Sequence, residues 1–301
     1  MAAIEGQLAE LRAGADAVTL VGGEPSLHPG LAAIVGRARA LGFAAVGLQS
    51  HGRHLDAAML DALAGAGLTD LHLSIHGEAA AVHDFHTKVA GSFVAAFAAL
   101  ERARRRGIVT AVTTVLTRSN ARSLAGLPGR LAAGGVAAWS VAVPAIAGRA
   151  MIAFESVAPR LGLALPHALH AVAAARGRGL AAFVAGAPLC ALGPHRGWAL
   201  GDGAGWDPPR AFAPACAGCP ARAECGGLDP LYLARFGGDE VDPGRLRAAG
   251  AIDPPAVQAL RGLFVGAGAL VTSGLREAAG LVDPPRSRAA RLARSAEEAA
   301  R

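Results

Sequence analysis

The chain has 301 residues, of which 52% are hydrophobic, so it can bury a large core and is not intrinsically disordered. Its formal net charge of +6 comes from arginines that are largely scattered, since Lys88 is the only lysine. The single tyrosine in the sequence leaves little aromatic surface for stacking on bases. We therefore expect no nucleic-acid partner.

The sequence carries no signal for export or for membrane insertion. No apolar run approaches the ~20 residues that a membrane-spanning helix needs. Glu5 and Glu10 lie within an amphipathic amino-terminal segment, which is not the pattern of a signal peptide. We therefore expect a cytoplasmic protein with no membrane partner. Disulfides are rare in that reducing compartment, so the four cysteines need another explanation.

Strand and helix patterns alternate over the first half of the chain. A short amphipathic helix is predicted over 3–13. Strands are predicted over 17–21, 44–49, 70–75, 109–116 and 136–143, and helices over 31–41, 56–66, 92–106 and 121–133. Glycines follow the predicted helices, as helix ends favour. These repeated βα units predict an α/β fold whose parallel sheet, joined by right-handed crossovers, curves into a partial barrel.

The second half of the chain is organised differently. Helical patterns cover 151–177, a short apolar run follows at 180–185, and the four cysteines lie between positions 190 and 225. A further helix is predicted over 254–268, and the arginine-rich tail after it is predicted to be disordered. We therefore divide the chain into a partial barrel (1–185), a four-cysteine segment (186–245) and a helical extension with its tail (246–301).

Polar residues follow the predicted strands, at the edge where parallel α/β folds bind ligands. The first strand ends in Gly22-Gly23-Glu24-Pro25. The glycines permit a sharp turn and close approach of a ligand, and the carboxylate of Glu24 suits a cation such as an amine. Taken alone, the same tetrapeptide also fits a strand-ending turn with an exposed acid.

Other strand ends carry histidines and an asparagine. His76, His83 and His86 fit either a metal site or a structural role in loops, and the second interpretation is favoured. Asn120 is predicted to be the N-cap of the helix that follows it, because asparagine accepts a hydrogen bond from an unpaired helix amide. No role is predicted for His51.

Together these motifs resemble the radical S-adenosylmethionine (SAM) superfamily. In that family a strand ends in Gly-Gly-Glu-Pro, a later strand ends in a serine-containing segment, and many members continue with His-Asp, Thr and Gly-Ser-Phe. This chain has the same elements in the same order: Gly22-Gly23-Glu24-Pro25, Ser74-Ile75-His76-Gly77, His83-Asp84, Thr87 and Gly91-Ser92-Phe93. The resemblance covers roughly residues 10–150 and implies a partial TIM-type (βα) barrel.

The resemblance also implies a SAM site formed by Gly22, Gly23, Glu24, Pro25 and Ser74. Glu24 and the glycine backbone would hold the methionine ammonium, and Ser74 would lie near the ribose or the carboxylate. Residues 143–145 would offer backbone groups to the adenine. A simpler role for Ser74 stays open, since its hydroxyl can satisfy a backbone group at the strand end.

One part of the family pattern is absent. The Cys-x3-Cys-x2-Cys loop that holds the SAM-cleaving [4Fe-4S] cluster precedes Gly-Gly-Glu-Pro in the family, but this chain has no cysteine before Cys190. We expect Met1 to be an internal residue of a longer enzyme, with the first barrel strand and its loop missing from this chain. The alternative is a relic that has lost the chemistry. No catalytic residue is assigned, and whether the chain is an enzyme stays open.

The four cysteines form a compact pattern, Cys190 followed by Cys216-x2-Cys219-x5-Cys225. Thiolates separated by two residues can reach one metal centre, so this pattern indicates a metal site. It resembles the auxiliary-cluster segments, of the SPASM or twitch kind, in radical SAM enzymes. That resemblance favours an auxiliary [4Fe-4S] cluster, and zinc held by the four thiolates is the alternative.

The sequence therefore predicts a radical SAM protein. In its intact form it would cleave SAM reductively and abstract hydrogen from a peptide or small-molecule substrate, with a reductant protein as partner. The alternative is a non-catalytic protein, stabilised by zinc or an Fe–S cluster, that serves as a binding or partner-recognition module.

Overall fold

The computed structural model describes residues 2–200, 210–246 and 253–264. Its strands are β1 (Ala17–Leu20), β2 (Ala45–Ser50), β3 (Asp70–Ser74), β4 (Val109–Val115), β5 (Ala138–Ala142) and β6 (Ala181–Ala185). Its α-helices are α1 (Ala2–Arg12), α2 (Leu31–Ala40), α3 (Ala57–Ala66), α4 (Ala80–Thr87), α5 (Ser92–Arg105), α6 (Leu127–Ala133), α7 (Arg149–Ile152), α8 (Phe154–Val157), α9 (Leu161–Arg176), α10 (Leu189–Leu192), α11 (Pro230–Phe236) and α12 (Pro255–Arg261). Short 3₁₀ helices cover Pro25–Leu27, Ala121–Gly126, Gly193–Trp198, Pro214–Cys216 and Pro243–Arg245.

The strands form one parallel sheet in which their order in space follows their order in the chain, from β1 to β6. Right-handed crossovers between such strands place the connecting helices on one face of the sheet. This singly wound arrangement is that of a (βα) barrel left open between its first and last strands. The predicted α/β partial barrel is therefore confirmed. The sheet has one more strand than predicted, because the apolar run at 180–185 contains β6.

The two faces of the sheet differ because side chains alternate along each strand. Large apolar residues face the helices and belong to the main buried cluster, among them Val46, Leu48, Leu71, Leu73, Val112, Trp139 and Val141. The opposite, concave face carries mostly smaller or polar residues, and the strand register aligns Gln49, His72, Ala111, Ala138 and Ala181 in one row. Phe183 of β6 is a large exception on this face and belongs to a second buried cluster. The main core therefore lies between the sheet and its helices.

A buried hydrogen-bond chain ties three central strands together. Trp139 of β5 is fully buried, and its Nε1 donates to Oγ1 of Thr114 on β4 at 3.0 Å. The same Oγ1 donates to the carbonyl of Ile75, just beyond β3, at 2.6 Å. The Trp139 Nε1–H, the Thr114 hydroxyl and the Ile75 carbonyl thus all have partners, which offsets the cost of burying them.

Helix α3 shows how local sequence fixes an element. Asp56 precedes the helix, and its carboxylate accepts a hydrogen bond from the Met59 amide at 2.8 Å, which satisfies an otherwise unpaired helix donor. Gly67 ends the helix in the left-handed region, with φ at 100°. A Cβ at Gly67 would lie 2.7 Å from Cγ of Arg39, so the position excludes larger residues by contact as well as by conformation.

Helix α4 was not part of the predicted pattern. His83 and His86 are predicted to lie in loops, but both belong to α4. The carboxylate of Asp84 accepts hydrogen bonds from the Gly91 amide, the Ser92 hydroxyl and the Phe93 amide at 2.7–2.8 Å. Asp84 thus joins α4 to the start of α5, a contact seven to nine residues away that helical periodicity does not reveal.

The last described segment of the chain packs on β6. Asp253 has a side chain that is 3% exposed and pairs with Arg176 of α9 and with Arg261 of α12. Leu260 belongs to the same buried cluster as Phe183 of β6. Helix α12 accounts for the start of the helix predicted over 254–268. The helix ends at Arg261, earlier than predicted, and residues 262–264 form a turn. Residues 265–268 of the predicted helix and the predicted disordered tail lie outside the described residues.

Asp70, at the start of β3, predicts an unusual pH dependence of stability. Burial raises the pKa of its carboxyl to about 6, although a hydrogen bond from Thr69 opposes the shift. The folded chain then binds more protons than the unfolded chain between pH ~4 and ~6, so the free energy of unfolding falls as the pH rises through that window. In the unchanged chain we expect the free energy of unfolding to fall by about 2 kcal/mol between pH 4 and pH 7 because of this group, and we expect Asp70→Asn to abolish that fall. Urea unfolding at pH 4 and pH 7 measures it.

The matched control is Asp16→Asn, since the Asp16 side chain is 65% exposed and forms a surface ion pair with Arg12. It should leave the pH profile of the unfolding free energy close to that of the unchanged chain. Parallel profiles for Asp70→Asn and the unchanged chain would show that Asp70 is not the titrating group.

Candidate functional site

The turn after β1 places Glu24 at the carboxyl edge of the sheet. Gly22 has a φ of 131°, which glycine adopts without strain, and Pro25 begins the 3₁₀ helix Pro25–Leu27. Gly22 and Gly23 are exposed, whereas Glu24 and Pro25 are partly buried. The four residues therefore occupy the strand-end position that the sequence predicts for them.

The carboxylate of Glu24 is held by residues from two strand ends. Its Oε1 accepts hydrogen bonds from the Ser26 amide (3.1 Å), the Ser26 hydroxyl (2.6 Å) and the Ser50 hydroxyl (2.7 Å). Its Oε2 accepts from the His51 amide at 2.9 Å and lies 3.3 Å from Nε2 of the same histidine. Ser26, Ser50 and His51 are thus parts of the site for which the sequence predicts no role.

These contacts keep Glu24 ionised. Burial raises the pKa of its carboxyl, but hydrogen bonds from the His51 backbone, Ser26 and Ser50 outweigh burial and hold the pKa below its ordinary value. Burial also lowers the pKa of His51, although the charge of Glu24 opposes that shift. The strand edge therefore presents a fixed negative charge beside a neutral imidazole, which suits a cationic ligand group.

Ser74 is the last residue of β3 and is partly buried. It pairs in register with Thr113 of β4, and two strand spacings of roughly 5 Å separate β3 from β1 along the sheet. Ser74 and Glu24 therefore lie along the same carboxyl edge of the sheet, with the end of β2 between them.

The three histidines after β3 form a stacked group. The ring of His76 lies 5.8 Å from that of His83 and 5.6 Å from that of His86. Nδ1 of His86 lies 2.9 Å from the Val82 carbonyl, which only accepts, so its Nε2 accepts a hydrogen bond from the Thr117 hydroxyl. Nδ1 of His83 accepts from the His76 amide. The lone pairs of His83 Nδ1 and His86 Nε2 are thus engaged, which supports the structural role for these two residues. Nδ1 of His76 is buried and has no hydrogen-bond partner among the described residues.

The side chain of Asn120 does not act as the helix cap that the sequence predicts. It stands at the N-cap position of the 3₁₀ helix Ala121–Gly126, but its side chain makes no capping hydrogen bond. Its Oδ1 accepts from the Thr117 amide, and its Nδ2 donates to the carbonyls of His76 and Val115. The side chain is fully buried and joins the ends of β3 and β4. The predicted cap is wrong because the amide group bonds back to Thr117 and Val115 and across to His76, 44 positions away.

All four cysteines line one cavity. Cys190 lies in α10 and Cys216 ends the 3₁₀ helix Pro214–Cys216, while Cys219 and Cys225 lie in the turns that follow. Cys190, Cys216 and Cys225 are buried and Cys219 is partly exposed. The fold thus brings together thiols that lie up to 35 positions apart in the sequence, since positions 190 and 225 bound the set.

The surroundings of two thiols, Cys225 and Cys190, affect how readily each forms a thiolate. Sγ of Cys225 accepts hydrogen bonds from the Leu189 and Gly227 amides, each at 3.4 Å, and such N–H donors stabilise a thiolate. Burial raises the pKa of Cys190, and the charges of Cys225 and Cys216 raise it further, whereas the Asp242 amide lowers it. Within the described ranges, no three His, Cys, Asp or Glu side chains meet closely enough to hold one metal ion.

A second cavity opens beyond the carboxyl ends of β5 and β6. Val143, Pro144 and Ala145, the residues implied to offer backbone to adenine, line one wall. Gly227 and Leu228 line this cavity and the cysteine cavity alike. The two cavities are therefore neighbours that share a wall.

The fold and these sites define a class: a singly wound parallel α/β protein with an anionic turn at its strand-end edge and four thiols gathered after the sheet. The family model described as the Radical SAM superfamily matches residues 1–125. The matched range includes β1 to β4 and the Glu24 turn, and it ends before the cysteines.

Several solved structures are similar to this chain. Streptococcus suis SuiB is 11% identical, with a TM-score of 0.48, over 60% of this chain and 42% of SuiB. Escherichia coli coproporphyrinogen III oxidase (HemN), a radical SAM enzyme, is 18% identical, with a TM-score of 0.48, over 59% of this chain and 45% of HemN. A domain of pyruvate-formate lyase-activating enzyme from Bacteroides vulgatus is 16% identical, with a TM-score of 0.46, over 57% of this chain and 98% of that domain.

The match spans less than half of SuiB and of HemN. SuiB has also been crystallised with S-adenosylmethionine and with its precursor peptide SuiA. No curated protein matches this chain significantly. In the part of the chain that the structure describes, no helix has both the length and the apolar character needed to cross a membrane.

Proposed function

We propose that this chain is the greater part of a radical SAM protein, which binds S-adenosylmethionine at the carboxyl edge of its sheet. The observation that carries the proposal is the ionised Glu24 carboxylate, held at the end of β1 within the range that matches the Radical SAM superfamily model. Gly22, Gly23 and Pro25 shape the turn around it, and Ser74 lies on the same edge.

Glu24 would bind the ammonium of the methionine moiety by charge and by hydrogen bonding. Ser26 and Ser50 donate three hydrogen bonds to Oε1, whereas Oε2 accepts one from the His51 amide and keeps a lone pair for a ligand. An ammonium at Oε2 would compete with the imidazole of His51, which lies 3.3 Å away. Because burial favours neutral His51, this competition is weak at neutral pH.

SAM bound to a reduced [4Fe-4S] cluster supplies hydrogen abstraction in this family. The chain has no cysteine before Cys190 and so does not itself present the Cys-x3-Cys-x2-Cys motif. We therefore propose SAM cleavage for the intact protein, with a reductant protein as electron donor and a peptide or small molecule as substrate. The residues described in this chain bind and orient the cofactor.

We further propose that Cys190, Cys216, Cys219 and Cys225 hold an auxiliary [4Fe-4S] cluster. The donor set fits, since four thiolates line one cavity and Cys225 already accepts two amide hydrogen bonds. A polynuclear cluster needs ligands spread around its corners, whereas one zinc ion needs them at a single point. We favour the cluster because the four-cysteine pattern resembles auxiliary-cluster segments, and zinc held by the four thiolates is the alternative.

Glu24→Gln tests the SAM site. The substitution keeps the shape of the side chain but removes its charge, so we expect SAM affinity to fall by roughly 10- to 100-fold, equivalent to about 1.5–3 kcal/mol for a charged hydrogen bond. Isothermal titration calorimetry with SAM, and with S-adenosylhomocysteine as a probe that no cluster can cleave, measures the change.

Asp16→Asn is the matched control, because it removes one exposed carboxylate just before β1, at the opposite end of that strand. Its affinity for both ligands should equal that of the unchanged chain. If Glu24→Gln binds SAM as tightly as the control does, Glu24 does not bind the ammonium.

A further inference from the structure

His51 follows β2 directly and contacts the Glu24 carboxylate twice. Its backbone amide donates to Oε2 of Glu24 at 2.9 Å, and its imidazole Nε2 lies 3.3 Å from the same oxygen. The His51 side chain is 33% exposed, whereas the Glu24 side chain is only 8% exposed. One residue thus meets the ligand-binding oxygen with its main chain and its side chain, and its imidazole remains accessible to protons from water.

The loop after β2 fixes the position of the hydrogen on this imidazole. Nδ1 of His51 accepts a hydrogen bond from the Arg53 amide at 3.2 Å. A neutral imidazole carries one N–H, and a ring nitrogen that accepts a hydrogen bond cannot be the one that carries it. The hydrogen of neutral His51 therefore lies on Nε2, the nitrogen beside Oε2. A second proton would bind Nδ1 and break the hydrogen bond from Arg53, since both groups would then be donors.

The other contacts of the carboxylate do not change with pH. The Ser50 hydroxyl accepts a hydrogen bond from the Gly52 amide at 3.0 Å, so its own hydrogen is directed to Oε1 of Glu24 at 2.7 Å. Ser26 contributes an amide and a hydroxyl, neither of which titrates. Of the described groups that contact this carboxylate, the imidazole of His51 is therefore the one that can change its charge near neutral pH.

The charges around His51 keep it neutral at neutral pH. Burial lowers the pKa of its imidazole, the charge of Glu24 raises that pKa, and the charges of Arg53 and His54 lower it, so that the pKa lies below its ordinary value. On the neighbouring helix α5, Arg102 donates to a backbone carbonyl of the same loop and adds a further positive charge. The pKa of Glu24 is also held below its ordinary value, so Glu24 stays ionised when His51 takes up a proton.

We propose that His51 is a positioning residue that couples the Glu24 cation site to pH, a role that rests on the proposed function of the same site. Neutral His51 leaves the charge of Glu24 to the ligand ammonium. Protonated His51 forms an ion pair with Oε2 and competes with the ligand. Affinity for the ammonium is therefore highest above the pKa of His51 and falls as the pH drops through it, because binding then releases a proton from Nδ1 to solvent.

Calorimetric titration of the full chain with S-adenosylhomocysteine between pH 5 and pH 7 tests the proposal. The α-amino group of this ligand stays protonated over that range. We expect its affinity to be at least about threefold weaker at pH 5 than at pH 7, since one coupled proton changes affinity by up to about tenfold per pH unit. Methylthioadenosine, which lacks the amino-acid moiety, is the control ligand and should bind equally well across the range.

NMR of the histidine rings gives the reciprocal measurement. A ligand that binds less tightly when His51 is protonated must lower the pKa of His51 by the same factor. We expect S-adenosylhomocysteine to lower this pKa and methylthioadenosine to leave it unchanged. Without ligand, Glu24→Gln should also lower it, because the substitution removes the negative charge that raises it.

His51→Gln has no group that titrates here but keeps the backbone amide that donates to Oε2, so its affinity for S-adenosylhomocysteine should no longer depend on pH. His54→Gln, at the exposed histidine three positions later, is the matched control and should keep the dependence. A flat profile in the unchanged chain, or a dependence that His51→Gln retains, would overturn the role of His51 alone. No binding of S-adenosylhomocysteine at any pH would contradict the proposed function, and this role with it.

Discussion

Replacing Cys225 with serine is expected to abolish the iron–sulfur centre that the unchanged chain forms on anaerobic reconstitution, with about four iron and four sulfide per molecule. Cys225 is buried, and its sulfur accepts two amide hydrogen bonds, so its thiolate is both oriented and stabilised. A serine oxygen is shorter-reaching and harder than a thiolate, and it suits iron–sulfur ligation poorly. The variant should therefore lack absorbance at about 400 nm and most of its iron.

The same substitution should lower the stability of the loaded protein. A structural metal site contributes on the order of 10 kcal/mol to folding in small zinc domains, so a lost ligand removes a large share of it. We expect the thermal unfolding midpoint of reconstituted protein to exceed that of the metal-free chain, and the difference to vanish in Cys225→Ser.

Ala221→Ser is the matched control, because Ala221 lines the same cavity and is buried but supplies no thiol. It should retain iron and sulfide, which separates loss of a ligand from added polarity in the cavity. A product that holds one zinc and no iron would contradict the cluster and favour the alternative of a zinc-stabilised binding module. Full iron content in Cys225→Ser would remove that residue from the ligand set.

Much of the fold follows from local sequence. The strands from β1 to β5 fall within one or two residues of their predicted bounds, because apolar runs with β-branched residues alternate with helical periodicity. Caps at Asp56 and Gly67 set the ends of α3 by contacts within a few residues. Such short-range physical chemistry is readable from a single sequence.

Elements fixed by distant contacts are less readable. Strand β6 reads Ala-Ala-Phe-Val-Ala, with little β-branched character, and it forms because it pairs with β5. Helix α4 is held to α5 by Asp84, and Asn120 bonds to Thr117, Val115 and the distant His76 where a helix cap is predicted. In each case a contact outside the element itself outweighs the local preference.

The candidate site divides in the same way. The position of Glu24 at a strand end and the gathering of the four cysteines follow from motif and spacing. The hydrogen bonds from Ser50 and His51 to Glu24 cannot be predicted from motif and spacing. These residues lie 26 and 27 positions away and contact Glu24 only once β1 and β2 pair. The sequence predicts the charged group, and the sheet supplies the contacts that keep it charged.

Asn120→Ala is expected to destabilise the fold by about 4 kcal/mol, because it leaves buried backbone groups without partners. The lost hydrogen bonds run to the Thr117 amide (2.8 Å) and to the carbonyls of His76 (3.0 Å) and Val115 (2.8 Å). The side chain is 0% exposed, so water replaces none of these contacts without a cavity opening for it. Urea unfolding followed by far-UV circular dichroism measures the change.

Two further variants separate hydrogen bonding from packing at this position. Asn120→Asp keeps the volume and the acceptor for Thr117 but turns the donor into a carboxylate oxygen facing two carbonyls, so its loss of stability should grow as the pH rises and the carboxyl ionises. Ser119→Ala, at the exposed neighbouring position, should cost less than about 1 kcal/mol, since its hydroxyl is accessible to water. If Asn120→Ala costs no more than Ser119→Ala, the buried amide does not hold the ends of β3 and β4 together, and the edge that carries Ser74 depends on some other contact.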